Sequence, residues 1–316
     1  FFKQKTAYEI SLGLVGSEMC IRDRAQGYPQ NCLAGDPSCV SAQDLATEVL
    51  RENLANERPL DVRPYRGDYN RVGMTTLDTW GASLNGSLMF DFGEVNIVTG
   101  YEGYDRSRET DQDFTPLTLF EAIVTDSAWQ FTQEIQVTGE SDDGYFGWQV
   151  GAFYLKEEQI LDNVQFIDVP TLGGRTTWLR GFDQTTDAAS ANFGFWWEFV
   201  EGLKLEAGVR YNWEQKQFDF RIDRNTGGPR YSSREKSWSE PTGSIRLTYT
   251  LEDAKALYWK YGHGFKAGHF NSINIADPPA KPETIDAVEA GFRGVFYDGL
   301  ISMDGSIFYY LSLIHI

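Results

Sequence analysis

The chain has 316 residues, with 28 Lys and Arg against 46 Asp and Glu and a formal charge of −18; such acidity speaks against a nucleic-acid binder, whose phosphate contacts need clustered Lys and Arg. No run reaches the roughly 18 apolar residues of a membrane-spanning helix, and 21 Phe, 16 Tyr and 9 Trp exclude a disordered chain, which would be poor in rings. With 31 glycines beside those aromatics, what remains is a large protein of many β-strands.

Residues 1–24 (FFKQKTAYEISLGLVGSEMCIRDR) have only a short apolar patch, Ile10 to Val15, and carry Glu18 where a small cleavage-site residue would stand. They fail as a secretory signal. They resemble translated sequencing-adapter DNA, as do residues 312–316 (SLIHI), and both ends are expected to be artefacts outside the fold. Setting them aside removes Cys20 and leaves the pair Cys32 and Cys39, with six residues between the thiols. A disulfide closing this small loop is expected in an oxidising compartment; a metal-binding pair would need further Cys or His nearby, and none follows. Residues 25–76 read as one loop region, with Ser41 capping a short helix over 42–54 in which Leu45, Val49 and Leu50 fall at helical spacing.

From 77 to 311 the chain alternates apolar and polar residues in long segments. Strands are predicted at 77–91, 94–110, 127–140, 145–160, 184–199, 203–220, 237–251, 254–270, 284–296 and 300–311. Short turns at 92–93, 141–144, 200–202, 252–253 and 297–299 alternate with long connections at 111–126, 161–183, 221–236 and 271–283. Asp143-Gly144 and Asp298-Gly299 are hairpin signals, because glycine supplies the positive φ that tight turns demand.

The period of two separates two faces. In 203–214, Leu203, Leu205, Ala207, Val209, Tyr211 and Trp213 fall on one side, and Lys204, Glu206, Gly208, Arg210, Asn212 and Glu214 on the other. Trp129, Phe131, Ile135 and Val137 are set in the same way against Gln130, Glu134 and Gln136. The strands are longer than the five or six residues usual in globular sheets and suit a tilted membrane crossing of about 9–11 residues. Aromatics gather beside the short turns (Phe90, Phe92, Phe146, Trp148, Trp197, Phe199, Tyr249, Phe296 and Tyr297), as an interfacial girdle would. Lipid-exposed strands must have every backbone group paired, which only a barrel achieves. The expected fold is therefore all-β, a transmembrane antiparallel β-barrel in the outer membrane of a Gram-negative bacterium.

The segment YGHGFKAGHFN at 261–271, followed by PETIDAVEAGFRGVFYDG at 282–299, resembles the barrel of TonB-dependent receptors. That family often has a strand ending in Gly-Phe-Lys-x-Gly-x-Phe-Asn, then Pro-Glu-Thr and a strand with Glu-x-Gly-Phe-Lys/Arg-Gly, matched here by Glu289, Gly291, Phe292, Arg293 and Gly294. The hairpin at 127–153, with WQFTQEIQVTGESDDGYFGWQVGAF inside it, is similar to another family element. The resemblance implies a plugged barrel of 22 strands, of which residues 77–311 would supply about ten, forming a truncated and incomplete wall. No plug, TonB-contacting segment or aromatic-ended last strand is recognised, an absence attributed to truncation.

Catalytic constellations are absent from the sequence: no Gly-x-Ser-x-Gly, phosphate loop or Cys-x-x-Cys is present. His263 and His269, read on one strand, would lie about 20 Å apart at 3.3 Å per residue, too far to share a metal. Asp111 and Asp113 in a long connection are read as solvated rather than as a calcium site. No enzyme activity, metal or cofactor is expected. The charged residues Glu134, Lys204, Glu206, Arg210, Glu214, Arg246, Lys260, Glu289 and Arg293 fall on the polar face, where they would line a lumen or bond a plug. Their mixed signs suit a polar protein surface better than an ion-selective pore. The resemblance implies energy-coupled uptake of a siderophore–iron complex or similar bulky nutrient. Its partners would be outer-membrane lipid and, through the plug, the TonB complex. A passive porin and a structural or adhesive barrel are the alternatives.

Overall fold

A computed structural model describes residues 70–112, 118–169, 174–224, 228–251, 255–272 and 277–313. Cys32 and Cys39, the expected helix at 42–54, Asp113 and residues 1–24 lie outside them. The chain forms two compact units, Phe1–Asp68 with Asp168–Gly174, and Tyr69–Ile167 with Arg175–Ile316. In the first, the described residues are strand ends; the second holds the sheet.

The strands are β1 (Met74–Phe90), β2 (Gly93–Asp111), β3 (Phe120–Glu140), β4 (Phe146–Val169), β5 (Gly174–Val200), β6 (Leu203–Asp223), β7 (Arg230–Leu251), β8 (Lys255–Lys266), β9 (Glu283–Phe296) and β10 (Ile301–Leu313). They form one antiparallel sheet in sequence order, each strand hydrogen-bonded to its chain neighbours. Among the described residues there is no helix, and no pairing joins β1 to β10. The all-β, unclosed wall expected from the sequence is present, and β1 is exposed along all 17 of its residues.

Several boundaries differ from expectation, for identifiable reasons. At the end carrying the long connections, β3 begins at Phe120, β5 at Gly174 and β7 at Arg230, while β4 runs on to Val169. Ladder hydrogen bonds continue there although the simple two-faced alternation has broken down: Ala122, Val124 and Ile167 are buried instead of facing outward, and Arg230 to Glu235 is polar but for Tyr231. β8 stops at Lys266 instead of 270, because residues 267–270 leave the ladder and Phe270 packs into a buried cluster. His269 therefore lies beyond the strand that carries His263. The first turn is Asp91-Phe92, with Phe90 paired to Gly93. At the last turn, Tyr297, Asp298 and Gly299 take φ values of 52°, 51° and 94°, the left-handed run that matches the twist of a hairpin. β10 reaches Leu313, two residues into the segment 312–316.

The sheet has little buried apolar interior. Phe218, Phe220, Trp238, Ala267 and Phe270 form a small core, whereas Leu84, Val209 and Ile307 are 71%, 64% and 78% exposed. Most large apolar side chains point away from any protein neighbour and lie together on one face.

Candidate functional site

Register decides which residues share a face, since Cα partners on adjacent strands project to the same side. Leu205 stands between Trp197 and Leu247, Ala207 between Phe195 and Ile245, and Val209 between Phe193 and Gly243. Each apolar position of β6 is thus continued by its neighbours. Two aromatic rows bound this face. By the short turns, Phe90 stacks on Phe92 at 5.2 Å and Trp197 meets Phe199 at 5.5 Å. Farther along, Trp80 meets Tyr101 at 5.0 Å, and Tyr101 meets Trp129 at 5.9 Å. Gly103 is the partner of both Trp80 and Trp129, and a side chain there would overlap the Trp80 indole.

Ten residues of β1 separate Trp80 from Phe90. That is about 33 Å along the strand, or about 25 Å of depth at a tilt near 40°, the height of an outer-membrane barrel's apolar band. Beyond the second row the same face turns acidic. The Trp129 indole donates to Glu158 Oε2 (3.0 Å), the Tyr154 hydroxyl to Asp187 Oδ1 (2.8 Å) and the Tyr261 hydroxyl to Asp286 Oδ1 (2.6 Å). Each ring therefore has its polar atom turned toward the charged end of the strand, as a residue at an apolar–polar boundary requires.

The opposite face holds all nine charged residues singled out above. Glu206, Arg246, Lys260 and Glu289 are successive Cα partners across β6, β7, β8 and β9, so they form one row in which two adjacent cations are flanked by two carboxylates. Lys204 lies on the same face of β6, with Nζ 3.8 Å from Glu206 Oε1 and 4.3 Å from the Trp196 ring. Arg246 Nε is 3.9 Å from Glu206 Oε2, and its guanidinium lies 4.9 Å from the Tyr258 ring. The Tyr258 hydroxyl donates to Glu289 Oε1 at 2.6 Å. Arg293 pairs with Asp304, Nε to Oδ2 at 3.4 Å, and Glu214 with Lys216 at 3.0 Å.

Arg210 stands between Asn192 and Thr242, its guanidinium 5.5 Å from the Phe153 ring. Glu134 is the Cα partner of Phe153. Continuity from β4 to β5 shows in Gly151 and Gly147, whose missing side chains leave room for Asn192 and Trp196. The nine residues are thus brought onto one face but not into one cluster: four make a row near the short turns and the rest are spread over the wall. Several of these contacts are long, and Arg210 Nε and Arg246 Nε have no hydrogen-bond acceptor among the described residues. A surface of this kind can still bond a polar partner.

Two features of the loop-side end escape a reading by sequence pattern. Asp126, 3% exposed, is held by Arg106 through Nε (2.9 Å) and Nη2 (2.7 Å) and by the Tyr104 hydroxyl. More telling is an aromatic group on the polar face: Phe182 and Phe220 are Cα partners, and Phe182 stacks on Phe218 at 5.1 Å. A signal for it exists, because the apolar positions of β6 change parity, from odd up to Trp213 to even at Phe218, Phe220 and Ile222. At that point the apolar residues cross from one face to the other.

The model of the TonB dependent receptor-like β-barrel matches residues 41–311 of this chain. The fold resembles that of the ferric yersiniabactin uptake receptor FyuA from Yersinia pestis, at 17% identity and a TM-score of 0.65, over 75% of this chain and 36% of that one. The siderophore receptor PiuA from Acinetobacter baumannii matches at 16% and 0.57, over 75% and 40%. BauA, the ferric preacinetobactin receptor of the same organism, matches at 15% and 0.54, over 75% and 37%. At such identities the likeness is one of fold, and the chain spans well under half the length of each. A family match over most of the chain, joined to an antiparallel wall with one apolar and one polar face, establishes that this chain belongs to the TonB-dependent receptor β-barrel family.

Proposed function

We propose that the chain is the barrel segment of an outer-membrane receptor for energy-coupled uptake of a siderophore–iron complex or a nutrient of similar bulk. Its apolar face meets outer-membrane lipid in a Gram-negative bacterium. Its polar face surrounds a plug through which the TonB complex acts, with Glu134, Lys204, Glu206, Arg210, Glu214, Arg246, Lys260, Glu289 and Arg293 available to bond that plug. The observation that carries this reading is the row Glu206, Arg246, Lys260, Glu289 on the polar face. Charges of both signs, some without a close partner, fit a polar protein surface that must be held and released better than a pore selecting ions of one sign.

The test uses the complete receptor in cells lacking their other iron receptors. Uptake of ⁵⁵Fe is measured with hydroxamate, catecholate and carboxylate complexes, with and without an uncoupler of the proton-motive force. Uncoupler-sensitive uptake of one of them is expected. Steady ion conductance across a planar bilayer, with no energised uptake, would identify a passive porin instead.

A further inference from the structure

The connection from β8 to β9 folds back onto the polar face at its loop-side end. Phe270, 7% exposed, stacks on Phe218 at 5.4 Å and lies tilted against Trp238 at 6.3 Å. Phe182 and Phe220 complete the aromatic group around Phe218. Gly268 lets the segment lie this close, since a Cβ there would overlap the Ala280 carbonyl oxygen and come within 2.7 Å of the Trp238 indole. The two arms of the connection are clasped by the Ala280 amide donating to His269 O (2.8 Å) and by Asn271 Nδ2 donating to Asp277 Oδ2 (2.7 Å).

Two cations hold this strap by its backbone. Lys216 Nζ donates to Gly268 O at 3.1 Å, and Arg234 Nη1 to Asp277 O at 2.5 Å. Lys216 is the Cα partner of Lys236, and Phe218 of Arg234, so these three cations border the aromatic group, with the carboxylates of Glu214 and Glu157 beside Lys216. In a chain of net charge −18 this concentration of positive charge stands out. Hydrogen bonds from cations to neutral carbonyls are weaker than those to anions, so Arg234 would bind an anionic oxygen more strongly than the Asp277 carbonyl it holds, and Lys216, which also pairs with Glu214 at 3.0 Å, would exchange only its bond to the Gly268 carbonyl.

We propose that the strap, residues 267–272 with 277–282, is an internal stand-in for a ligand that carries an aromatic ring beside anionic oxygens, and that such a ligand binds by displacing it. The Phe270 ring occupies the place of the ligand's ring, and the Gly268 and Asp277 carbonyls occupy the places of its oxygens. A strap of this kind lowers apparent affinity by the fraction of molecules in which it is open; one-tenth open means a loss of about tenfold. It also rejects ligands that bring only the ring or only the charge, because neither replaces both sets of contacts. The proposal rests on the reading that the polar face lies on the ligand's path.

The test takes the complete receptor in detergent micelles and 5-fluorosalicylate as the probe, with binding read from ¹⁹F line broadening. Gly268→Ala, which crowds the strap off Trp238, and Phe270→Ala, which withdraws its anchor, should each tighten apparent binding up to about tenfold. Adding Lys216→Gln and Arg234→Gln to Phe270→Ala should abolish that gain, and 4-fluorobenzyl alcohol should show little of it. On the unaltered receptor, saturating 5-fluorosalicylate should speed amide hydrogen exchange at Phe270 and Ala280, whereas a purely supporting segment would exchange at the same rate or more slowly. Unchanged or weaker binding in both single variants, or exchange that is not faster, would overturn the proposal. Ferric-complex uptake is measured separately: a receptor that transports but fails these measurements keeps its proposed function and loses the strap mechanism. One that passes them but does not transport does the reverse.

Discussion

Val209→Arg and Arg210→Gln place the two-faced wall under direct test, since the two residues are chain neighbours and differ chiefly in the side they project to. Val209 stands six residues from Leu203, where β6 begins. At about 3.3 Å per residue this is about 20 Å along the strand, or about 15 Å of depth at a tilt near 40°. In an apolar band about 25 Å high, Val209 then lies within about 3 Å of the midplane. It is 64% exposed, with Phe193 and Gly243 as its cross-strand partners, so nothing on its face can receive a charge. An arginine there should cost about 2–4 kcal/mol. Arg210 faces Asn192, Thr242 and the Phe153 ring. Replacing it with glutamine keeps a polar group on a polar face and gives up a cation–π contact of about 0.5–1 kcal/mol. Unfolding of the complete receptor by urea in lipid vesicles, followed by tryptophan fluorescence, gives both costs. Equal losses, or a larger loss at 210, would refute the assignment of faces.

Arg106→Ala should cost about 2 kcal/mol, less than a fully buried pair because the arginine is partly exposed, by leaving the buried Asp126 carboxylate with the Tyr104 hydroxyl in place of a bidentate partner; the same urea titration measures it. Gly103→Ala should cost about 1–2 kcal/mol through overpacking, because the new methyl would come within 2.7 Å of the Ala128 carbonyl oxygen and overlap the Trp80 ring; a shift in tryptophan emission should accompany it. In the turn between β3 and β4, the Ser141 hydroxyl and then the Tyr145 amide hold the Asp143 carboxyl below its usual range. That contribution is present above the ordinary carboxylate pKa and is lost as pH falls through the depressed one. Protection of the amides in 141–146, taken relative to the intrinsic exchange rate at each pH, should therefore fall at acid pH, and Asp143→Asn should remove this dependence.

The middle of the wall was legible because its two environments differ so sharply. Leu203 to Glu214 alternates without a break, since every second side chain meets one medium and the rest another. The loop-side ends were not legible, and the reason is the same. Around Arg230 to Glu235 both faces are polar but for Tyr231, the backbone ladder continues, and no periodicity reports it. Phe270 misled in the opposite direction: an apolar residue that leaves the ladder to cover Phe218 looks like one more strand position. The nine polar-face residues were readable from parity, but their arrangement as a row across four strands was not, because register depends on where each turn closes.

Nearest-neighbour order has a consequence for how such a wall is made. Every strand pairs only with the next in sequence, so each step of assembly closes a short loop, and the entropy of closure grows only slowly with the length of the connection. The wall can grow one hairpin at a time, and the last strand added serves as template for the next. The error to avoid is a slip of one residue. Shifting β6 against β5 by a single position would turn Lys204, Glu206 and Arg210 toward lipid and Leu205, Ala207 and Val209 inward, and every later strand would copy the inversion. The two-residue turn at Asp91-Phe92, which joins Phe90 directly to Gly93, leaves no slack for such a slip; beside the turn at Glu201-Gly202 an irregularity between Glu198 and Val200 takes up one residue and brings Glu198 opposite Lys204. Proofreading of the growing sheet is thus built into its shortest segments.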